Sequence, residues 1–555
     1  MSKRTVRLLI LSLCLALCGV GLLGIVAVAS GASQASEITP VQPGQRVAAV
    51  SGTVMELDGG PVAGATVRQK TTPNATTSAA DGSFALGGLP EGITTTVTAW
   101  HEGFLVGWAD VVAPQDGVII SLKRHYTSDN SEYAWFPSNE PSDPISCINC
   151  MVANPQWQVN AHASSGTNPR FFSLYNGTDV QGTMPVAPGY KLDFPGTAGN
   201  CATCHAPAAA VRGPRTFAAA DMNDLQGVER EGVFCEFCHK VGHIYLDAAS
   251  GLPYENAPGV LSMRLYRPET GGAEQLFFGP FDDVTRRVSY SPVQKTSQFC
   301  APCHQFSMWG TPIYESFREW LESPYPGLGI ECQTCHMKPT GVDYFVYPEK
   351  GGLMREPQLI ASHLQPGASN VELLQNTVEM TLAAEQVAGR LQVSVAITNT
   401  EAGHHVPTDF PGRHMILLVT ATSGRDSPLP LLSGPTVAAW GGEVAGRPGK
   451  AYAKVLRDVI TGESPVVSYW RQTLIESDNR IPAFGSDVSS YDFALPEGGG
   501  QIGVEARLLF RRAFQSLVDQ RGWDLGEITM ETEQLVVSTA PATWIYLPMM
   551  ARSDL

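Results

Sequence analysis

The pairing of the cysteines constrains this chain more than any other feature of its sequence. Ten of its 12 cysteines stand in Cys-x-x-Cys pairs, at positions 147/150, 201/204, 235/238, 300/303 and 332/335. A disulfide framework spreads its cysteines over varied spacings, so this regular spacing argues against a general stapling role. Four of the pairs are followed directly by a histidine: "CATCH", "CEFCH", "CAPCH" and "CQTCH" end at His205, His239, His304 and His336.

The repeated Cys-x-x-Cys-His pentapeptide predicts covalently attached haem c. Two cysteines three residues apart can form thioethers to the two haem vinyl groups, and the adjacent histidine then lies over the iron as an axial ligand. A zinc ribbon does not need a histidine after each second cysteine, and a thioredoxin-like dithiol would occur only once. The sequence therefore predicts four haems, attached through Cys201, Cys204, Cys235, Cys238, Cys300, Cys303, Cys332 and Cys335.

The remaining pair, Cys147 and Cys150, is followed by Met151 where the other motifs have histidine. Methionine can ligate haem iron, so a fifth, unusual haem is conceivable. Without an adjacent histidine, however, the segment supplies no obvious strong proximal ligand. The preferred interpretation is a local disulfide or a degenerate haem site.

Histidines outside the motifs are candidates for the distal ligands of six-coordinate haems. His162 follows a tryptophan in "WQVNAHA", and His363 begins "HLQPGA" just past the last motif. His404 and His405 lie in "NTEAGHHVPTDFPGRH". We take these four as the candidate distal ligands. The histidines at positions 101, 125, 243 and 414 are weaker candidates, because a lone histidine is more often structural than a ligand.

The N-terminus has the pattern of an export signal. A basic start with Lys3, Arg4 and Arg7 precedes an apolar run from Leu8 to Ala29, and small residues follow where a signal peptidase could cut. We expect residues 1–35 to be removed as a signal peptide. If left uncut, the run is long enough to anchor the protein in a membrane. The predicted location is therefore periplasmic, extracellular or at the cell surface.

The charge of the chain bears on its partners. Removal of residues 1–35 takes away three basic residues and no acidic one, so the net charge changes from -16 to -19. Such acidity disfavours nucleic acid and anionic membrane surfaces. We expect redox proteins with basic docking surfaces as partners, and membrane attachment only if the N-terminal segment is retained.

Composition and periodicity divide the chain into several parts and predict a multidomain fold. After the signal peptide and a linker at 36–46, residues 47–124 alternate apolar and polar residues between turns, as in a β-sandwich. Residues 125–371 are rich in turns and predict a mostly irregular and α-helical haem core, whose longest helix is expected over Pro312–Ser323. Residues 372–555 alternate again and predict a C-terminal β-sandwich that supplies a distal haem ligand.

Two parts of the chain resemble known families. The pattern "SGTV…PVAGATV…DGSFALGGLP" resembles the carboxypeptidase regulatory-like domain, which is generally a spacer or adhesion module. The stretches "YESFREWLESPYPGLGIECQTCHMKP", "CAPCHQ", "WQVNAHA" and "AGHHVPTDFPGR" resemble the multihaem cytochrome c family related to cytochrome c554 and hydroxylamine oxidoreductase. That resemblance implies His162 and His404 as distal ligands. The chain departs from it at Met151, where relatives often have another motif histidine.

Three functions are compatible with these patterns. The leading hypothesis is an exported tetrahaem electron carrier with closely spaced bis-histidine haems, in which the protein supplies orientation, ligands and potential. An alternative is a haem oxidoreductase that acts on a small nitrogen compound at one open-coordinate haem, an activity that the resemblance would allow. A further alternative is a surface or filament-forming electron conduit. The sequence favours electron transfer over catalysis, because spare histidines suffice to cap four irons.

Overall fold

The first part of the chain consists of strands. The computed structural model describes residues 45–149, 151–212, 220–269, 275–285, 288–424 and 427–541. The expected signal peptide, most of the linker and Cys150 lie outside these ranges. The first seven strands are β1 (Val47–Glu56), β2 (Thr66–Gln69), β3 (Ala75–Thr77), β4 (Ser83–Pro90), β5 (Thr94–Trp100), β6 (Gly107–Val112) and β7 (Gln115–Leu122).

These strands form two sheets that share one apolar core. One sheet has the order β4-β1-β7 and the other β3-β2-β5-β6. Alternate residues of β7, namely Val118, Ile120 and Leu122, point into this core, as the period-two pattern predicts. Strands β1 and β7 approach each other closely at Gly52, where a Cβ would lie 1.9 Å from the carbonyl oxygen of Val118, so only glycine fits there.

The central part of the chain is poor in long helices. Its α-helices are Ala153–Gln158, Pro169–Asn176, Tyr190–Asp193, Ala202–His205, Pro207–Ala210, Cys235–Lys240, Ala301–His304, Ser316–Leu321, Cys332–His336 and Val371–Gln375. Three small two-stranded sheets pair β8 (Val241–Ile244) with β9 (Met263–Leu265), β10 (Phe277–Gly279) with β11 (Val288–Tyr290), and β12 (Phe306–Met308) with β13 (Thr311–Tyr314). Short 3₁₀ helices complete the region, at Cys147–Asn149, Met222–Asp224, Gly227–Glu231, Gly259–Ser262, Pro292–Lys295, Ser297–Phe299, Pro326–Leu328, Pro348–Lys350 and Pro357–Leu359.

The prediction of a long helix over Pro312–Ser323 was wrong. Pro312 lies in β13, opposite Ser307, and the helix covers only Ser316–Leu321. The backbone of Glu315 leaves the helical region between the two elements. The longest α-helix of the described residues is instead Pro169–Asn176, which has Asn168 as its N-cap and ends at Gly177 with φ 70°.

The C-terminal part returns to strands in sheets. It contains β14 (Val378–Val387), β15 (Arg390–Asn399), β16 (His414–Ser423), β17 (Ser427–Pro428), β18 (Leu431–Ser433), β19 (Gly449–Tyr452), β20 (Lys454–Asp458), β21 (Thr473–Asp478), β22 (Ser486–Ala494), β23 (Gly500–Arg511) and β24 (Ile528–Thr539), with a 3₁₀ helix at Ala439–Val444 and an α-helix at Gln515–Arg521. One sheet has the order β14-β15-β22-β18, and a second has β17-β16-β23-β24 with β19 beside β16. Strands β20 and β21 form a separate pair. The two larger sheets enclose the largest apolar cluster.

Both strand-rich parts pack on the central part through polar contacts. The Arg68 guanidinium of β2 donates to both carboxylate oxygens of Asp282, at 2.9 and 3.1 Å. The buried Lys454 of β20 donates to the carbonyl of Ile313 and to the carboxylate of Glu315, at 2.7 and 2.9 Å. Within the described ranges, no helix is long and apolar enough to cross a membrane.

Candidate haem-binding site

Each of the four Cys-x-x-Cys-His motifs folds into a short helical turn. The turns are Ala202–His205, Cys235–Lys240, Ala301–His304 and Cys332–His336. In helical geometry, side chains three and four positions apart lie on the same face. The two thiols and the imidazole of one motif therefore share a face, as attachment to a single haem requires.

The motifs lie next to one another. The thiols of Cys204 and Cys303 are within hydrogen-bonding reach of each other, and so are those of Cys300 and Cys332. Cys238 is close enough to influence both Cys300 and Cys303 electrostatically. The motif at 300–304 thus has the other three as neighbours, and groups attached to the four motifs would be close together.

Gly259 permits the close packing at the motif of Cys201–His205. It has φ 59°, and a Cβ there would lie 2.3 Å from the Thr203 carbonyl oxygen and 2.8 Å from the Cys204 sulfur. A side chain at this position would therefore displace the backbone of the motif or its thiol.

Two histidine pairs have the separation that one iron spans. The ring centroids of His162 and His304 are 6.4 Å apart, and those of His336 and His404 are also 6.4 Å apart. Two imidazoles on opposite sides of one metal have centroids roughly 6.3 Å apart, from a metal–nitrogen distance of roughly 2.0–2.1 Å and a ring radius of about 1.1 Å. The residues present therefore fit two bis-histidine haems.

His239 and His363 are electrostatic neighbours. His363 lies deep in the protein, and burial, with a smaller contribution from His239, lowers its pKa to about 4. The pKa of His239 is lowered as well, chiefly by burial. Both rings are therefore neutral at physiological pH, and the neutral imidazole is the form that binds iron.

His205 has a different environment from the other motif histidines. Its ring stacks on Phe171, with centroids 4.2 Å apart and planes 27° apart. Burial lowers its pKa to about 4, with a smaller contribution from His162, which is itself paired with His304. All histidines of the chain are in the described ranges, and none of them forms with His205 a ring pair of the kind seen at His304 and His336.

Hydrogen bonds orient the candidate ligand rings. In each case Nδ1 faces a carbonyl oxygen, so that Nδ1 carries the proton and Nε2 is left for a metal. The contacts join His239 to the Phe278 carbonyl (2.7 Å), His336 to the Pro366 carbonyl (2.7 Å), His404 to the His405 carbonyl (2.9 Å) and His162 to the Gln365 side-chain oxygen (2.7 Å). Four candidate ligands are therefore oriented by neutral oxygen atoms.

His304 is the exception. Its Nδ1 lies 3.4 Å from a carboxylate oxygen of Asp409. Burial alone would lower the pKa of His304, but the hydrogen bond and the charge of Asp409 outweigh it and raise that pKa. The His304 side chain is 45% accessible.

Two tyrosines share this environment. Tyr314 and Tyr469 have ring centroids 6.0 Å apart, and their side chains are within hydrogen-bonding reach of each other. Burial raises the pKa of Tyr314 to about 12, and both tyrosines are electrostatic neighbours of Cys204. The sequence analysis did not select Tyr314, Tyr469 or Asp409 as site residues, because no spacing relates them to the motifs.

The remaining predicted residues lie elsewhere. The Nδ1 of His405 is 3.7 Å from a carboxylate oxygen of Glu319, and its backbone N–H donates to the same carboxylate at 3.1 Å. Cys147 is within hydrogen-bonding reach of Cys235, and Met151 forms a β-bridge with Val346. His405 thus faces an ion cluster, and Cys147 borders the motif of Cys235–His239.

Comparisons with known proteins agree with this architecture. Residues 49–121 match the family model of the carboxypeptidase regulatory-like domain, so the N-terminal sheets form such a domain. The fold is similar to that of a penta-haem cytochrome c552 from Thermochromatium tepidum, with a TM-score of 0.52 and 18% identity over 70% of this chain and 97% of that one. No curated protein matches the sequence. The chain thus combines a regulatory-like domain with a fold found in a multihaem cytochrome c.

Proposed function

We propose that this protein is an exported tetrahaem c-type cytochrome that carries electrons between redox partners through closely spaced bis-histidine haems. The observation that carries the proposal is the pairing of His162 with His304 and of His336 with His404 at 6.4 Å. When bound, haem supplies a one-electron redox change at its iron. The chain supplies thioether positions, neutral imidazoles and a buried environment.

The packing of the motifs supports transfer between the haems. Cys204 lies within reach of Cys303, and Cys300 within reach of Cys332, so three motifs are neighbours. Cys238 lies near the central one. Adjacent haems bound there would exchange electrons without a mobile carrier. Bis-histidine coordination suits this role, since both axial positions stay filled when the iron changes charge.

The exposure of the last motif suggests where redox partners dock. The helix Cys332–His336 contains no buried residue, whereas the three other motif helices each contain at least two. The last motif is therefore the most accessible point for electrons to enter or leave. With a net charge of -16, the protein suits a partner that presents a basic surface, in a weak and salt-sensitive complex.

Intact mass of the purified holoprotein tests the haem count. We expect the mass of the mature chain plus four haems. The matched variant replaces Cys147 and Cys150 together by serine, and should keep all four. A wild-type mass with five haems, one of which is lost in the variant, would show that the fifth pair also carries haem.

The environment of His205 favours a second candidate, a haem oxidoreductase that acts on a small nitrogen compound at one open-coordinate haem. Phe171 stacks on His205, and among the described residues this ring has no partner histidine like those of the two 6.4 Å pairs. A haem held by this motif would then have one axial position open to a small ligand.

A carbon monoxide difference spectrum of the reduced holoprotein distinguishes the two candidates. One bound ligand per protein, with the Soret shift of a single haem, would favour the oxidoreductase. No shift would leave electron transfer alone. The His404→Ala variant calibrates the measurement, since removal of this ligand should open one additional iron.

A further inference from the structure

Among the histidines of the four motifs and of the two 6.4 Å pairs, His304 differs from the others whose Nδ1 partner is known in what that Nδ1 meets. The rings of His162, His239, His336 and His404 each face a neutral carbonyl oxygen, at 2.7–2.9 Å. The ring of His304 faces the carboxylate of Asp409 instead, at 3.4 Å. Of these five rings, only that of His304 therefore has a full negative charge next to its Nδ1.

The carboxylate is held in place by its surroundings. Asp409 has φ 62°, a left-handed conformation that aspartate adopts more readily than most residues. Its second oxygen accepts the backbone N–H of Ser316 at 3.2 Å, and only 11% of its side chain is accessible. Arg413 lies near enough to act on it electrostatically, and donates its own hydrogen bond to the Thr408 carbonyl. Asp409 is thus fixed behind His304 and is not paired with Arg413 in a salt bridge.

A carboxylate in this position changes the electronic balance at a metal. It draws the Nδ1 proton towards itself, which makes the imidazole a stronger electron donor. A buried negative charge close to the iron also favours the oxidised, more positive state. Both effects act in the same direction on the reduction potential.

We propose that Asp409 is a positioning residue that lowers the reduction potential of the haem held by Cys300, Cys303 and His304. The inference rests on the proposed function, because it requires haem at this motif. The step concerned is the transfer of one electron from a neighbouring haem to this iron, in which no bond is formed or broken. No other oxidant or reductant is involved.

The position of this motif gives the effect a consequence. Its cysteines are neighbours of Cys204, Cys238 and Cys332, one from each of the three other motifs. A haem held at this junction would be harder to reduce than it would be without the carboxylate. Electrons that pass between the other motifs would then spend less time on its iron.

Two substitutions of opposite sign test the proposal. Asp409→Asn removes the charge and keeps the shape, so the potential of one haem should rise. Gln365→Glu places a carboxylate behind His162, which pairs with His304 across the same iron. The potential of the same haem should then fall. A smaller change at the haem of His404 is expected in Asp409→Asn, because Asp409 also acts on that ring through space.

The measurement is an optical redox titration of the holoprotein, combined with electron paramagnetic resonance of the same samples to assign each component. Asp487→Asn is the matched control, since this carboxylate pairs with Lys450 and Tyr452 and not with a haem ligand. It should leave every component where it is.

The outcomes separate the inference from the function. A wild-type protein without haem at this motif, or without bis-histidine signals, would overturn the proposed function. Intact haems with an unchanged component in Asp409→Asn, or shifts of different haems in the two variants, would overturn the inference alone. If Asp409→Asn does not fold, the absence of a fall in potential in Gln365→Glu overturns it equally.

Discussion

Replacement of Arg355 by methionine tests how the regulatory-like domain is fixed to the haem region. Arg355 donates to both carboxylate oxygens of Asp283, at 3.1 and 2.6 Å, and the backbone N–H of Thr71 donates to the same carboxylate at 2.7 Å. The guanidinium also lies over the Phe281 ring, 4.1 Å from its centroid. Methionine keeps an apolar contact with this ring and removes the charge.

The expected loss of stability follows from the burial of the pair. The side chains of Arg355 and Asp283 are only 5% and 2% accessible. Removal of one member of a buried ion pair costs about 3–5 kcal/mol, because the other charge remains buried without its partner. For a cooperative unit of roughly 150–250 residues, this is on the order of 10 °C in Tm. Calorimetry of the holoprotein at neutral pH measures the difference.

The difference in stability between Arg355→Met and the wild type should depend on pH in a defined direction. Burial would raise the pKa of Asp283, but the hydrogen bonds and charge of Arg355 outweigh it and hold the pKa below its ordinary value. A carboxyl group with a depressed folded-state pKa stabilises the fold above the unfolded pKa of about 4, and this stability is lost as pH falls through the folded pKa. In the variant burial raises the pKa, so its difference from the wild type should shrink on acidification.

Arg390→Met is the control for loss of a similar charge at the surface. Arg390 and Asp492 form an ion pair at 3.3 Å whose side chains are 56% and 22% accessible. Exposed pairs of this kind contribute about 0–1 kcal/mol. Equal losses of Tm in the two variants, or a difference between Arg355→Met and the wild type that does not change with pH, would refute the reasoning.

Further predictions concern the haem ligands and the partners. The ring planes of His162 and His304 are 79° apart, and those of His336 and His404 only 20° apart. Electron paramagnetic resonance should therefore resolve two kinds of low-spin haem. The haem of the first pair should have the larger maximum g value, because perpendicular ligand planes leave the iron d orbitals nearly degenerate. A single kind of signal would contradict these ring orientations. Glu319 accepts hydrogen bonds from the backbone N–H of His405 and the hydroxyl of Thr408, in the loop that carries His404. Glu319→Ala leaves these donors without their acceptor, at a cost of at least about 1–3 kcal/mol. If the loop and His404 move away as a result, carbon monoxide should bind one additional haem in a difference spectrum. Electron exchange with a small basic cytochrome, followed by stopped flow, should slow as salt rises from about 0.1 M to about 1 M, because the screening length falls from roughly 10 Å to 3 Å.

Much of the strand-rich architecture could be predicted because its pattern is local. Alternation of apolar and polar residues located the strands of both ends of the chain, and in β15 the alternating residues Leu391, Val393, Val395 and Ile397 are indeed fully buried. The helix expected over Pro312–Ser323 failed for the opposite reason. The spacing of its aromatic residues fitted a helix, but its first residues, Pro312–Tyr314, pair instead as part of strand β13 with β12. Such pairing depends on a partner strand that the pattern does not contain.

The sequence by itself determined what is encoded over a few residues: four Cys-x-x-Cys-His motifs and a short set of further histidines. Only the tertiary structure decided that His162 lies opposite His304 and His404 opposite His336, that Phe171 covers His205, and that Asp409 stands behind one ligand. The physical reason is separation along the chain. The two cysteines and the histidine of one motif are brought together by one helical turn, whereas the two histidine pairs come from segments that meet only when the whole chain has folded.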